Sequence, residues 1–210
     1  MGVDCEEIQR KGNRVSDMLK VCSYRRSGTH YLMALMAKNF RFKDDLEMEM
    51  YTEDAHKWAT SDKTLEKVPW GKLFDTHKEY SGAEIEELIY IYRHPVEVFR
   101  SLWEFEGKPG TINEFVTDKK ITDWRKHVES YINAGVFPVR YDYLCALPVR
   151  MLTDIGTYFG LKLVDGEYHP VKERVGWKGK AKILDREGYS LATLDLFRDI
   201  LGSSYRGFKL

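Results

Sequence analysis

The run Leu88-Ile89-Tyr90-Ile91-Tyr92 constrains this chain more than any other stretch. No charge interrupts it, and its β-branched and aromatic side chains suit a covered, pleated surface. A strand with one wet face alternates apolar and polar residues; an unalternating run is expected where both faces are covered, as inside a parallel sheet. Parallel neighbours cannot be joined by hairpins, so helices must carry the crossovers. Residues 18–24, 72–76 and 136–141 read as further strands, with Pro138 marking the last as an edge or a bulge. Helical periodicity covers residues 29–40, with Tyr31, Leu32, Leu35 and Met36 inward. His94-Pro95 opens a helix to about Phe105, and Ile121, Trp124, Val128, Tyr131 and Ile132 recur on another that runs up to Gly135. Residues 148–159 form an amphipathic helix with Met151, Leu152, Ile155, Tyr158 and Phe159 inward and Gly160 as its stop, and residues 190–201 form the last. Strands alternating with helices specify an α/β fold around a mainly parallel sheet. A length of 210 residues, 43% of them hydrophobic, suffices for one core, so a single domain over residues 1–210 is expected. The charged stretch 41–67, with Glu47, Glu49, Glu53 and Asp54, reads as a solvated, partly helical excursion.

In such sheets ligands sit beyond the carboxyl ends of the strands, and Arg26, His77 and Arg93 all fall at those ends. The stretch KVCSYRRSGTHYLMALM, residues 20–36, is an apolar strand that stops at two arginines and a Ser-Gly-Thr before an apolar helix begins. A tight turn into a helix N-terminus gathers backbone N–H groups, the positive end of the helix dipole and two guanidiniums around one point, which suits an anion. A Ser-Gly-Thr turn also serves as a plain helix cap, so the loop alone does not decide. It is not a Walker loop, because the first glycine and the Lys-Ser pair are missing. The basic site must be local, since 33 basic and 33 acidic residues cancel, which argues against a protein that coats nucleic acid or an anionic membrane.

A second anion-binding pattern follows in YIYRHPVEVFRSLW: Arg93 ends the buried strand, and Ser101 lies eight residues on, two turns into the next helix. With these residues the chain resembles the sulfotransferases that depend on 3′-phosphoadenosine 5′-phosphosulfate, PAPS. The family's 5′-phosphosulfate loop, Y-P-K-S-G-T-T-W, is matched by Tyr24-Arg25-Arg26-Ser27-Gly28-Thr29-His30-Tyr31. Its 3′-phosphate motif, R-N-x-x-D-x-x-x-S, is matched by Arg93-His94-Pro95-Val96-Glu97-Val98-Phe99-Arg100-Ser101. FDTHK resembles the segment with the catalytic histidine, which would be His77; ITDWRKHVESY resembles G-S-W-x-x-H-V-x-x-W, and VRYDYLCALP resembles R-Y-E-D-L-x-x-x-P. More loosely, ERVGWKGK is similar to the closing R-K-G and G-D-W-K elements.

The resemblance implies a P-loop-like, three-layer α/β fold and transfer of a sulfuryl group from PAPS to a hydroxyl or amine, leaving 3′,5′-ADP. It implies His77 as general base and Arg26 as stabiliser of the leaving group, where the family commonly has lysine. Arg25, Arg26, Ser27, Gly28 and Thr29 would cradle the 5′-phosphosulfate, with His30 touching the sulfonate or capping the helix. Arg93, Ser101 and Arg174 would hold the 3′-phosphate, with Gly176, Trp177 and Lys178 from the closing element. Tyr31 and Tyr141 would flank the adenine. Arg100 reads as a surface charge. Asp75 stands where the family has a lysine and removes one positive charge near the donor.

No metal is implied, because two arginine sites can neutralise the donor and no ligand cluster is visible in the sequence. The acceptor is a small molecule, a sugar or a peptide; Glu47 to Asp54 and the glycine-proline loop Glu106 to Asn113 are expected to border its pocket. The alternatives are a P-loop-superfamily phosphotransferase acting on a nucleotide or small metabolite, which would need a Walker lysine and a magnesium carboxylate, and a nonenzymatic nucleotide-binding module. Cys5, Cys22 and Cys145 are odd in number and lack metal spacing, which fits packed thiols in a reducing compartment. The N-terminal stretch lacks a signal peptide's apolar core, Glu6 stands where a myristoylation motif wants Ser or Thr, and no run reaches the ~18 apolar residues of a membrane span. The expectation is a soluble, cytoplasmic protein.

Overall fold

The computed structural model describes residues 19–41, 74–77, 79–82, 85, 88–163, 166–171 and 188–209. Its central sheet has four parallel strands in the order β3-β1-β4-β5, where β1 is Lys20–Ser23, β3 Phe74–Thr76, β4 Leu88–Tyr92 and β5 Phe137–Arg140. Between β1 and β3 lie helix α1, Thr29–Asn39, and strand β2, Phe40–Arg41. After β4 come α2, Pro95–Phe105, the short α3, Ile112–Phe115, and α4, Asp118–Asn133. Beyond β5 the chain forms α5, Tyr141–Ala146, α6, Pro148–Phe159, and β6, Lys162–Leu163, which pairs antiparallel with β2. Helix α7, Leu191–Leu201, and a hairpin of β7, Ser204–Tyr205, and β8, Phe208–Lys209, complete the described part.

The two-residue period of a strand divides the core into two layers. From one face of the sheet Cys22, Leu88 and Tyr90 pack against Val98, Phe99 and Leu102 of α2, Trp124 and Val128 of α4 and Phe197 of α7. From the other, Val21, Ile89 and Ile91 pack against Leu32, Met33, Leu35 and Met36 of α1 and against Leu144, Leu152 and Ile155 of α5 and α6. Full burial of one such aliphatic side chain stabilises by roughly 1.5–3 kcal/mol. Four residues of β4 are buried in succession, as its unbroken apolar run requires. The result is the three-layer α/β architecture expected from the sequence.

The elements end where local chemistry tells them to. Pro95 occupies the first turn of α2, and the His94 side chain accepts the Val96 N–H at 3.3 Å. Thr111 and Glu114 form a reciprocal capping box at α3, so Ile112 and Asn113, expected in a loop, are helical. Asn113 then ties this turn to α7, accepting from Ser190 N and Thr193 Oγ1, both at 2.8 Å, and donating to Gly188 O at 3.1 Å. The C-terminal hairpin braces the strand tips: His94 Nε2 donates to Lys209 O at 3.2 Å, and the Phe208 ring meets Tyr92 and His94 edge-on at 5.7 and 5.0 Å.

Three expectations are corrected. Tyr141 belongs to the start of α5 and not to the preceding strand. Tyr158 is 52% exposed: among the described residues β5 is the sheet's edge, so Tyr158 lies against Phe137, centroids 4.7 Å apart, with no further described strand to cover it. Arg100 is no free surface charge; its guanidinium stacks 5.2 Å from the Tyr189 ring centroid, with Nε and Nη2 shielded from water. The acidic excursion 41–67 lies outside the described residues apart from Arg41. Among the described residues no helix is long and apolar enough to cross a membrane.

Candidate functional site

Strand β1 delivers the chain to the carboxyl edge of the sheet at Ser23, and the loop from Tyr24 to Gly28 turns it into α1. Ser27 N donates to Tyr24 O at 3.2 Å. Arg26 and Gly28 both adopt positive φ, 66° and 98°. For arginine that conformation costs roughly 1–3 kcal/mol, the kind of local strain that collects at functional sites. Gly28 is the N-cap of α1 and brings no side chain to it, so no side chain caps the first turn, while Tyr31 N and Leu32 N both donate to Gly28 O at 3.1 Å. Ser27 is fully buried, and its Oγ has no hydrogen-bond partner among the described residues. The loop therefore holds a buried hydroxyl that no described residue uses.

Two guanidiniums border this loop. Arg26 Nε donates to Ser101 Oγ of α2 at 3.0 Å, and its Cζ lies 4.8 Å from the Phe105 ring centroid. Arg93, leaving β4, pairs with Glu97 one turn on at 2.7 Å and stacks 4.7 Å from the Tyr141 ring centroid. That same ring closes over Gly28, and Tyr31 meets it edge-on at 6.3 Å. Partial desolvation, then the positive charges of Arg93 and Arg25, hold the Arg26 guanidinium below its ordinary range. The two strand tips thus bring the Arg26 and Arg93 guanidiniums close enough to influence each other. Arg25 is exposed, 4.0 Å from Glu106, and His30 is exposed one position inside the helix, so the cap is Gly28 and not His30.

His77 follows β3, the neighbour of β1 on the other side. Its Nδ1 lies 2.9 Å from Ser23 O and 3.1 Å from Ser23 Oγ, and Ser23 Oγ is 2.5 Å from Thr29 Oγ1. A carbonyl only accepts, so Nδ1 carries the proton and the basic lone pair belongs to Nε2.

The sequence-selected residues Arg25, Arg26, Ser27, Gly28, Thr29, His30, Tyr31, His77, Arg93, Ser101 and Tyr141 all lie at this carboxyl edge. Ser101 differs in its partner: expected beside Arg93, it bonds Arg26 instead, while Arg93 is held by Glu97. Arg174, Gly176, Trp177 and Lys178 lie outside the described residues. Sequence reasoning passed over Ser23, whose hydroxyl in an apolar strand looks like packing. It also passed over the Glu97 partnership, although the i,i+4 spacing from Arg93 was a usable signal. Among the described residues no group of three His, Cys, Asp or Glu is placed to share a metal ion.

No family model matches the chain, and no curated protein does. Among solved structures, mouse sulfotransferase SULT7A1 complexed with PAP is similar, at 20% sequence identity and a TM-score of 0.51. The likeness covers 69% of this chain and spans 58% of the mouse protein's length. The fold is therefore of the sulfotransferase type, a P-loop-like α/β sheet flanked by helices.

Proposed function

We propose that this chain is a PAPS-dependent sulfotransferase that sulfates a hydroxyl or amine. The observation that carries the reading is that Arg26 and Arg93, from two strand tips, lie close together beside Gly28 and Tyr141 while a third strand tip bears His77, from which we infer a binding cleft between them. Such a cleft suits a nucleotide with anionic groups at both ends. The unpartnered Ser27 Oγ and the positive end of the α1 dipole fit a 5′-phosphosulfate. Arg93, with Ser101 and by resemblance Arg174, would hold the 3′-phosphate, while Tyr31 and Tyr141 offer the adenine an aromatic wall. Gly176, Trp177 and Lys178 would complete the cofactor contacts. The complex of a sulfotransferase of this fold with PAP supports the same choice of ligand.

When bound, PAPS supplies a sulfonate on a phosphate leaving group. Arg26 would keep a fixed positive charge beside the oxygen where negative charge grows, and its donors are already oriented by Ser101 and Phe105. Arginine does not give up its proton, and none is needed, because a phosphate of second pKa about 6 leaves well near neutrality. His77, with Nδ1–H committed to Ser23 O, would take the acceptor's proton at Nε2. The acceptor is a small molecule, a sugar or a peptide.

Thermal or urea unfolding with nucleotides tests the reading. At about 100 times its Kd, 3′,5′-ADP should add roughly 2.7 kcal/mol of stability. ATP should add much less, which separates this reading from a phosphotransferase. Equal protection by ATP, or protection by 3′,5′-ADP that survives Arg93→Ala intact, overturns it. Turnover of labelled PAPS against a panel of phenols, alcohols, amines, sugars and peptides then identifies the acceptor.

A further inference from the structure

One turn of α4 grips the main chain at the His77 carbonyl and again three residues further on, at Tyr80. His127 and Ser130 stand three residues apart on the same helix face. His127 Nε2 donates to the main-chain oxygen of His77 at 3.1 Å. Ser130 Oγ accepts the Tyr80 N–H at 3.1 Å and donates to His127 O at 2.8 Å. The Tyr80 ring also meets Tyr131 of the same helix face, centroids 5.7 Å apart. These contacts begin where the pairing of β3 with β1, which ends at Thr76, leaves off.

His127 is itself fixed from behind. It is 3% exposed, and Tyr90 in the middle of β4 is 0% exposed. The Tyr90 hydroxyl donates to His127 Nδ1 at 2.9 Å, and the Tyr24 ring stands edge-on at 5.4 Å. With Nδ1 accepting, the His127 proton must lie on Nε2, directed at the His77 carbonyl. Burial keeps the Tyr90 phenol well above its ordinary range, so it remains a donor. A packing residue among Tyr24, Tyr90 and Tyr131 would need no ring nitrogens; the two oriented bonds point to a further role.

We propose that His127 and Ser130 are positioning residues for His77: together they set the main chain at the point where the imidazole is attached, so that its Nδ1 meets the Ser23 carbonyl. This rests on the reading of His77 as the base of a sulfuryl transfer. A misplacement of about 1 Å in a reacting group can cost on the order of 10²-fold in rate. The role has no need of direct contact between α4 and any bound molecule.

Four variants test it: His127→Phe keeps a ring and loses the donor, His127→Gln keeps a donor near the Nε2 position, Ser130→Ala releases Tyr80, and Tyr90→Phe removes the hydroxyl bonded to His127 Nδ1. In each, nitrogen-15 NMR reads the His77 ring tautomer without any ligand, 3′,5′-ADP titration reads cofactor affinity, and steady-state assays with PAPS read kcat and KM. In wild type the His77 spectrum should show Nδ1–H. In His127→Phe that tautomer should become mixed and kcat should fall by about 10- to 100-fold. Affinity for 3′,5′-ADP and KM for PAPS should stay within about twofold, and His127→Gln should restore most of kcat. Ser130→Ala should give a smaller change in the same direction. An unchanged His77 spectrum in His127→Phe overturns the proposal. Should that variant fail to fold, unshifted His77 spectra in both Ser130→Ala and Tyr90→Phe overturn it equally. Absence of PAPS turnover in wild type would sink the functional reading alone, because the NMR arm still decides whether α4 sets the His77 ring.

Discussion

Tyr141 covers Gly28 so closely that a β-carbon at position 28 would fall on its ring. Gly28 also sits at φ 98°, a left-handed conformation that disfavours any side chain. Backbone and packing thus demand the same residue for separate reasons. Gly28→Ala should destabilise the protein by roughly 2–5 kcal/mol, combining a left-handed penalty of about 1–2 with overpacking of about 1–3. Urea unfolding measures it. In a double-mutant cycle, Gly28→Ala should cost less in a Tyr141→Ala background, by part of the packing loss and none of the backbone loss; an equal cost in both backgrounds would show that the contact does not matter.

Arg26 and Arg93 should separate in kinetics although they share a cleft. A 3′-phosphate is fully charged before reaction, whereas charge on the bridging oxygen develops only during transfer. Arg93→Ala should therefore weaken 3′,5′-ADP binding by about 10- to 100-fold, the loss of a charge-assisted hydrogen bond. Arg26→Ala should lower kcat by about 10²- to 10³-fold while binding weakens less than about tenfold. Calorimetric titration beside steady-state kinetics decides, and the reverse pattern would exchange the two roles.

Alkaline stability has a defined origin. Burial pushes the Cys22 thiol up to about 11 from an ordinary 9.0, and the Tyr205 phenol up to about 12 from 10.0. Burial also raises Tyr90, Tyr131 and Tyr141. Above their ordinary values these groups lose protons in the unfolded chain while the native state keeps them, so the native state binds more protons and stability falls as pH rises. The urea midpoint should hold up to pH 9.0, then decline as Cys22 enters its window up to about 11. Burial raises the Cys145 thiol from the same 9.0, so Cys22→Ala should make the decline above pH 9.0 shallower, and Cys22→Ala with Cys145→Ala should delay the onset toward pH 10.0, where the tyrosines begin. An unchanged onset would locate the loss elsewhere.

Asn39 at the end of α1 is fully buried and sustains the segment 166–171. Its Nδ2 donates to Leu35 O and His169 O, both at 2.8 Å, and its Oδ1 accepts from His169 N at 2.6 Å. Asn39→Ala leaves both main-chain groups of His169 without this partner and should cost roughly 1–3 kcal/mol. Hydrogen exchange at the His169 amide should accelerate accordingly. Loss of stability without faster exchange there would assign the effect to α1 alone.

Much of this architecture is written in local sequence. Leu88–Tyr92 and Pro148–Phe159 begin and end where expected, since an unbroken apolar run, a proline in the first turn and a left-handed Gly160 act over a few residues. The placing of Arg26, His77 and Arg93 at strand ends was legible for the same reason. Tyr158 was not, because helical spacing says which side chains share a face but not how far a neighbouring sheet extends, and β5 is its edge among the described residues. Nor could spacing assign Ser101 to Arg26, 75 residues away in the chain, or join His77 to Ser23 and His127 across 54 and 50 residues. Those partnerships follow from strand order: β1 lies between β3 and β4, which brings three separate strand tips to one edge. Periodicity and caps act through neighbours along the chain, whereas a site between strand tips exists only once distant segments have packed.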